Sequence, residues 1–214
     1  MEKAIIFDMD GTLFQTNLIL ESALEITFDE LRKSGLWSKE TPIEKYREIM
    51  GVPLSVVWET LCPDHDVEIR DKSNEFFQNQ LIQLIKSSRG ALYPNTEKVL
   101  AALSEKYTLF IASNGQVEYL QAIVDTFGIG RFIKNTYSIQ MISSGHKSDL
   151  VGKVIQENNI QKGAVVGDRS SDIHAAKDNK LLAVGVNFGF AQESELQNAD
   201  IIVNDLISLL NLEV

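Results

Sequence analysis

From Tyr93-Pro94 onward, short apolar runs alternate with stretches of helical period, and no other feature of the 214 residues constrains the fold as strongly. Strand patterns at 108–112, 136–140, 164–166, 182–186 and 201–203 are separated by helical patterns at 117–127, 148–156 and 171–177. Further helices are expected at 96–105 and from Asp205. Short apolar runs bounded by turn residues read as buried strands. Strands alternating with helices predict an α/β fold, a mainly parallel sheet flanked by helices on both faces.

One more strand is expected far upstream. Ala4-Ile5-Ile6-Phe7 is an apolar run that stops at Asp8-Met9-Asp10-Gly11-Thr12. Between it and the alternation the texture is helical throughout. Leu18, Leu24, Phe28 and Leu31, with Ala23 and Ile26, recur at helical spacing, and Gly35 supplies a stop. Thr41-Pro42-Ile43-Glu44 predicts a capped helix start, with Thr41 as cap, Pro42 in the first turn and Glu44 completing a capping box, and Gly51 closing the helix. Helices are expected at 54–61, ended by Pro63, and at 66–87, ended before Gly90. The expected organisation is an α/β core of residues 1–14 and 90–214, interrupted by an all-helical insertion of residues 15–89.

Composition narrows the partners. The chain carries 20 Lys+Arg against 30 Asp+Glu, a formal charge of −10. Binding along a phosphate backbone depends on clustered cations, so nucleic acid and anionic membranes are disfavoured. A 44% hydrophobic content supports a folded core. Nowhere do the ~20 consecutive apolar residues of a membrane span occur. Cys62 is the single cysteine, which fits a reducing compartment. A soluble cytoplasmic protein is expected.

In parallel α/β sheets the ligand crevice lies at the carboxyl ends of the strands, so what each strand delivers there matters. The first delivers Asp8 and Asp10, whose spacing on an extended segment puts both side chains on one face. At about 4 Å and an effective dielectric of about 20, two carboxylates repel by about 4 kcal/mol, equivalent to roughly three pKa units. They need a cation, a shared proton or a divergence of the backbone, and Gly11 permits a sharp turn. The next strand delivers Ser113-Asn114-Gly115 before a helix, where hydroxyl, amide and N–H groups form an anion site; Ser and Asn are also ordinary caps. Lys147 follows Gly145-His146 at the front of a helix, where the dipole disfavours a cation. A solvated surface lysine is the commoner fate of that residue type, and His146 receives no role. Gly167-Asp168-Arg169-Ser170-Ser171-Asp172 places one carboxylate at a strand tip and another in a first helical turn. Carboxylate oxygens favour a hard cation such as Mg²⁺, and lysine with helix N–H groups favours a bound phosphate. The set suggests metal-assisted phosphoryl transfer.

Phe7-Asp8-Met9-Asp10-Gly11-Thr12-Leu13 resembles the first motif of the haloacid dehalogenase-like superfamily, and the Ser113, Lys147 and Asp168 clusters follow in that family's order. The resemblance covers nearly the whole chain and is closest in character to the phosphoglycolate phosphatase-like group. It implies a Rossmann-like core with the helical insertion as a cap that chooses the substrate. It makes Asp8 the nucleophile and Asp10 the general acid/base. Ser113 and Asn114 would bind the phosphoryl group, and Lys147 would neutralise charge on nucleophile and substrate. Mg²⁺ would be held by Asp8, Asp168 and the backbone carbonyl of Asp10, with Asp172 supporting the set. Asp10 argues against the true dehalogenases, which do not need that carboxylate. One departure stands out: many such phosphatases follow the motif lysine with proline, whereas here Ser148 follows Lys147.

The implied activity is a Mg²⁺-dependent phosphatase that hydrolyses a small phosphorylated metabolite, phosphoglycolate or sugar-phosphate-like, through an aspartyl-phosphate. A sugar-phosphate mutase or pyrophosphatase of the same superfamily is the nearest alternative. A receiver-like phosphorylation switch or a silent binding protein are the alternatives outside enzymology. Thr16-Asn17 and Arg47 are insertion residues that could meet substrate, although a solvated helix position is the commoner role for Arg47. A phosphonatase would need a Schiff-base lysine, and nothing singles out Lys39, Lys45 or Lys72.

Overall fold

A computed structural model describes residues 2–49, 54–189 and 191–214. The chain divides into two compact units, Met1–Gln15 with Ala91–Val214, and Thr16–Gly90. The strands are β1 (Glu2–Phe7), β2 (Thr108–Ser113), β3 (Asn135–Ser138), β4 (Ile160–Gly167), β5 (Leu182–Val186) and β6 (Ile201–Val203). The helices are α1 (Asn17–Lys33), α2 (Ile43–Glu48), α3 (Leu54–Leu61) and α4 (Val67–Lys86) in the second unit, then α5 (Thr96–Ser104), α6 (Val117–Thr126), α7 (Lys147–Asn158) and α8 (Ser170–Asp178) in the first. Among the described residues no helix is long and apolar enough to cross a membrane.

The first unit is one sheet in the order β3-β2-β1-β4-β5-β6, every neighbouring pair parallel. The α/β expectation therefore holds. β1 is central because it can be: Ala4, Ile5, Ile6 and Phe7 are wholly buried, as a strand covered on both faces requires. On one face Leu150, Val151 and Val154 of α7 and Ile173 and Ala176 of α8 join Ala4, Ile6, Phe110 and Val165 in a single core. The strand order reverses at β1, with β2 and β3 on one side and β4 to β6 on the other. That switch point opens a crevice beyond its carboxyl end.

β4 is longer than its apolar run implied, because it begins at Ile160 and carries exposed Gln161 and Lys162 into the ladder. Gly163 pairs with Ala4, and a Cβ there would stand 2.7 Å from the Ala4 carbonyl oxygen. β3 ends at Ser138 and passes into a 3₁₀ turn, so the expected strand to residue 140 is shorter. The expected C-terminal helix is a 3₁₀ segment, Leu206–Asn211. Its buried residues, Leu206 and Leu209, are three apart, the spacing that eclipses in a 3₁₀ helix.

All the regular secondary structure of the second unit is helical among its described residues. α1 buries Ile19, Leu20, Ala23, Leu24, Thr27, Phe28 and Leu31. Leu18 and Ile26, expected on this face, are exposed; Thr27 takes the inward position and satisfies its hydroxyl on the Ala23 carbonyl at 2.8 Å. Gly35 ends α1 as expected, at φ +70°, with the Leu36 N–H returning to the Leu31 carbonyl at 2.9 Å, which is a Schellman closure. The core of the unit is aromatic. Phe28 lies 4.9 Å from Trp37 and 6.2 Å from Trp58, and Trp58 lies 5.8 Å from Phe77. The buried indole N–H of Trp58 donates to Asn74 Oδ1 at 2.9 Å.

The capping box expected at Thr41 does not form. Pro42, at ψ 58°, stands outside the helical region, so the helix begins at Ile43 and Thr41 lies too far upstream to cap it. The Thr41 hydroxyl instead accepts from Arg32 at 3.2 Å. Gly51, expected to close α2, lies outside the described residues.

Candidate active site

Strand register builds the site. Phe7 pairs with Ile111 on β2 and Val166 on β4, so Asp8 leaves the sheet one step beyond both, next to the tips that carry Ser113 and Asp168. The Asp8 N–H extends the ladder by donating to the Val166 carbonyl at 2.8 Å. The chain then turns at once. The N–H groups of Leu13 and Phe14 both donate to the Met9 carbonyl at 2.9 Å, and Gly11 sits at φ +74°. A Cβ on Gly11 would overlap the Asp168 carboxylate, so glycine is required there both by the turn and by the neighbour.

Asp8 and Asp10 therefore do not share one extended face. Each has a partner of its own. Asp8 Oδ1 lies 2.7 Å from Lys147 Nζ, and Asp10 Oδ1 accepts the hydroxyl proton of Tyr119.

Lys147 is the first residue of α7 and is buried. It is not the solvated lysine its residue type favours. Its ammonium also pairs with Asp172 Oδ1. Burial alone would lower its pKa, yet Asp172 and Asp8 hold it above the usual lysine range. The same two carboxylates offset the unfavourable helix dipole.

Asp168 and Asp172 come from the β4–α8 junction. Asp172 Oδ2 accepts from the Arg169 N–H at 3.0 Å, and a Cβ on Gly167 would overlap its side chain. Asp168 Oδ2 faces Arg169 Nε at 3.3 Å, and Arg169 is held from behind by Glu195 at 3.0 Å. Asp168 Oδ1 is buried and has no hydrogen-bond partner among the described residues. Burial, then the charges of Asp8 and Asp172, push the Asp168 carboxyl well above the usual carboxylate range, with Arg169 and Lys147 opposing. Asp172 is raised by burial and only partly brought back by Lys147.

These residues fit a hard divalent cation. Ligand oxygens of Asp8, Asp168 and Asp172 lie within 4.8 Å of one another, all buried, and oxygen donors of this kind suit Mg²⁺. The orphaned Asp168 Oδ1 is the atom most in need of a cation. Because Asp172 is already engaged by Lys147 and the Arg169 N–H, Asp8 and Asp168 are the carboxylates best placed to hold it.

Ser113 ends β2, buried, with its Oγ accepting from the Gly115 N–H at 3.2 Å. Asn114 is exposed. The first N–H of α6, on Val117, is taken by Gln140 Oε1 at 2.9 Å, so that part of the expected anion site is already occupied by the chain itself. In the helical unit, Arg47 pairs with Glu21 and, at 2.6 Å, with Glu44, as a solvated helix arginine would. Lys45 and Lys72 pair with Glu48 and Glu68 and are exposed, as is Lys39; none has the desolvated setting of a Schiff-base lysine.

Sequence reasoning missed Tyr119, Arg169 as the neighbour of Asp168, Glu195 and Tyr93. Burial, then Asp168 and Asp10, push the Tyr93 hydroxyl up to about 12. Arg169 lies inside a motif already singled out, so its nearness could have been read. Glu195 comes from a short 3₁₀ turn far along the chain, and no local pattern marks it.

A family model described as haloacid dehalogenase-like hydrolase matches residues 5–186. The chain is 24% identical over 186 residues to the pyrophosphatase PpaX of Listeria monocytogenes, covering 85% of this chain and 82% of that protein. It is 23% identical over 221 residues to a phosphoglycolate phosphatase of Agrobacterium fabrum, covering 95% and 89%. Its fold is similar to that of CbbY from Rhodobacter sphaeroides, solved in complex with phosphate, with a TM-score of 0.81 at 20% identity, covering 98% of this chain and 96% of that one. The chain belongs to the haloacid dehalogenase-like hydrolase family.

Proposed function

We propose that this protein is a Mg²⁺-dependent phosphatase that hydrolyses a small phosphorylated metabolite through an aspartyl-phosphate on Asp8. The observation that carries the reading is the convergence of Asp8, Lys147 and Asp168 at the carboxyl end of β1, with Asp168 Oδ1 buried and unpartnered. Mg²⁺, held by Asp8, Asp168 and the Asp10 carbonyl, would supply charge neutralisation for the phosphoryl oxygens.

The chain's own groups do the rest. Lys147, paired with Asp8 Oδ1, orients the Asp8 carboxylate for attack on phosphorus. As the Asp8 oxygen–phosphorus bond forms, the bond to the leaving oxygen breaks, and Asp10 donates its proton to that oxygen. Asp10, now a carboxylate, takes a proton from water, which attacks phosphorus and releases Asp8 and inorganic phosphate. Ser113, whose Oγ already accepts from Gly115, keeps its own O–H to donate to a phosphoryl oxygen. Asp172 holds Lys147 in place. Substrate choice is assigned to the helical unit, Thr16–Gly90, acting as a cap. The metabolite class is phosphoglycolate or a sugar phosphate; because one relative is named a pyrophosphatase, pyrophosphate belongs among the compounds tried.

The test is phosphate release from an aryl phosphate and a panel of phosphorylated metabolites, with and without Mg²⁺. Asp8→Asn is expected to abolish turnover while its circular dichroism matches the wild type, and radiolabelled phosphate is expected to map to the peptide containing Asp8. Undiminished Mg²⁺-dependent turnover by Asp8→Asn would sink the reading.

A further inference from the structure

Tyr119 stands on α6, more than a hundred residues from Asp10, yet its hydroxyl donates to Asp10 Oδ1. The tyrosine is buried, at 4% exposure, so its ring cannot swing away without displacing core. Gly115 makes the approach possible: a Cβ there would stand 3.0 Å from Tyr119 Cδ1 and 2.9 Å from Leu120 Cδ2. The glycine lets α6 lie close enough for the hydroxyl to reach the turn after β1. Asp10 itself is half-buried and sits on that turn, where its carboxyl has two rotatable bonds whose setting decides where each oxygen points.

We propose that Tyr119 is a positioning residue for Asp10, fixing its carboxyl through Oδ1 so that the proton given to the leaving oxygen is carried on Oδ2. The inference rests on the reading of Asp10 as the general acid/base. In the first step the Oδ2–H bond breaks, the leaving oxygen gains the proton as its bond to phosphorus breaks, and the electron pair remains on the carboxylate. The Tyr119 O–H bond to Oδ1 then becomes a bond to an anion, which is shorter and about twice as strong as a neutral one. The interaction strengthens as the reaction proceeds, which is the condition for raising the rate and not merely binding. In the second step Oδ2 takes the proton from water, with Oδ1 still held. A buried tyrosine hydroxyl needs an acceptor in any fold, so the two roles must be separated by a readout that stability does not move.

Leaving-group dependence is that readout. An acid that protonates the leaving oxygen matters greatly for an alkyl phosphate and little for a dinitrophenyl phosphate, whose phenolate departs unaided. Wild type, Tyr119→Phe, Asp10→Asn and the double variant are assayed with Mg²⁺ across esters from 2,4-dinitrophenyl to alkyl. Tyr119→Phe is expected to slow the alkyl ester by about 10- to 100-fold, a share of the 10²–10⁴ typical of a positioned acid. Its effect on the dinitrophenyl ester is expected to stay below about threefold, since that ester needs little acid assistance. On the Asp10→Asn background the tyrosine change is expected to add nothing. An equal loss on every ester, no loss at all, or an undiminished effect on the Asp10→Asn background would overturn the proposal. If Tyr119→Phe fails to fold, Gly115→Ala, which crowds the same ring, is expected to give the same selectivity, and its absence there overturns the proposal too. Should the wild type hydrolyse no ester, or Asp10→Asn show no leaving-group selectivity, the acid/base reading fails and takes this inference with it. Those arms leave Tyr119 unchanged, so the two failures are distinguishable.

Discussion

Lys147 Nζ lies 2.7 Å from Asp8 Oδ1 and pairs with Asp172 Oδ1 through the same ammonium. One buried cation thereby ties the end of β1 to the first turns of α7 and α8. Lys147→Met keeps most of the stem and removes the charge, leaving two buried carboxylates without their partner. Breaking a buried pair from one side costs about 3–5 kcal/mol, so urea unfolding of the metal-free variant is expected to fall by roughly that much. Stability equal to wild type would show that the two ion pairs contribute nothing net.

Metal binding is expected to depend on pH through Asp168. Its folded pKa is raised by burial and by Asp8 and Asp172, so the carboxyl keeps its proton above the usual carboxylate range. In the metal-free protein this raised group disfavours the folded state as the pH climbs past the unfolded value. Mg²⁺ needs the ionised form, so its affinity rises over the same interval. Calorimetric titration is expected to show tighter Mg²⁺ binding at pH 8 than at pH 5.5, about the span over which so raised a carboxyl ionises. At a hundredfold excess over Kd the ion adds about 2.7 kcal/mol to stability, readable as a rise in Tm. A pH-independent affinity would contradict the role given to Asp168.

Gly11 and Gly35 offer a matched pair of substitutions. Both have positive φ, +74° and +70°, but a Cβ on Gly11 meets Asp168 whereas one on Gly35 meets nothing within 4 Å. Each alanine variant is expected to lose about 1–2 kcal/mol for the left-handed backbone. Only Gly11→Ala is expected to weaken Mg²⁺ binding as well. Equal Mg²⁺ affinity in the two variants would mean that the Gly11–Asp168 approach does not matter to the site.

Cys62 is wholly buried, and burial pushes its thiol up to about 11 despite the opposing charge of Arg70. The thiolate is the reactive form. Native protein is therefore expected to resist iodoacetamide at pH 8 and to react fully in denaturing urea. Rapid stoichiometric alkylation of the native chain would show that this part of the helical unit opens readily.

The sheet was legible in the sequence because its signals are local. A strand buried on both faces must be apolar along its length, and Ala4 to Phe7, Leu109 to Ala112 and Ala164 to Val166 are. The places where the reading slipped are those where a polar residue enters a strand, as at Gln161 and Lys162, or where the backbone leaves the helical region at an expected helix start, as at Pro42. The residues Asp8, Ser113, Lys147, Asp168 and Asp172 were readable one by one, since each sits at a strand tip or in a first helical turn.

Their partners were not readable, and the reason is physical. Period and turn chemistry constrain which residues lie at the carboxyl end of the sheet, but say nothing of which side chains touch across it. That Lys147 serves both Asp8 and Asp172, that Glu195 reaches back to Arg169 beside Asp168, and that Tyr119 reaches Asp10 all depend on tertiary packing, including how α6, α7 and α8 approach the sheet. The sequence by itself determined an α/β sheet with an inserted helical unit and a set of carboxylates with one lysine at its mouth. Only the tertiary structure decided their pairing, because contacts between residues distant in the chain are made by packing and leave no local trace in it.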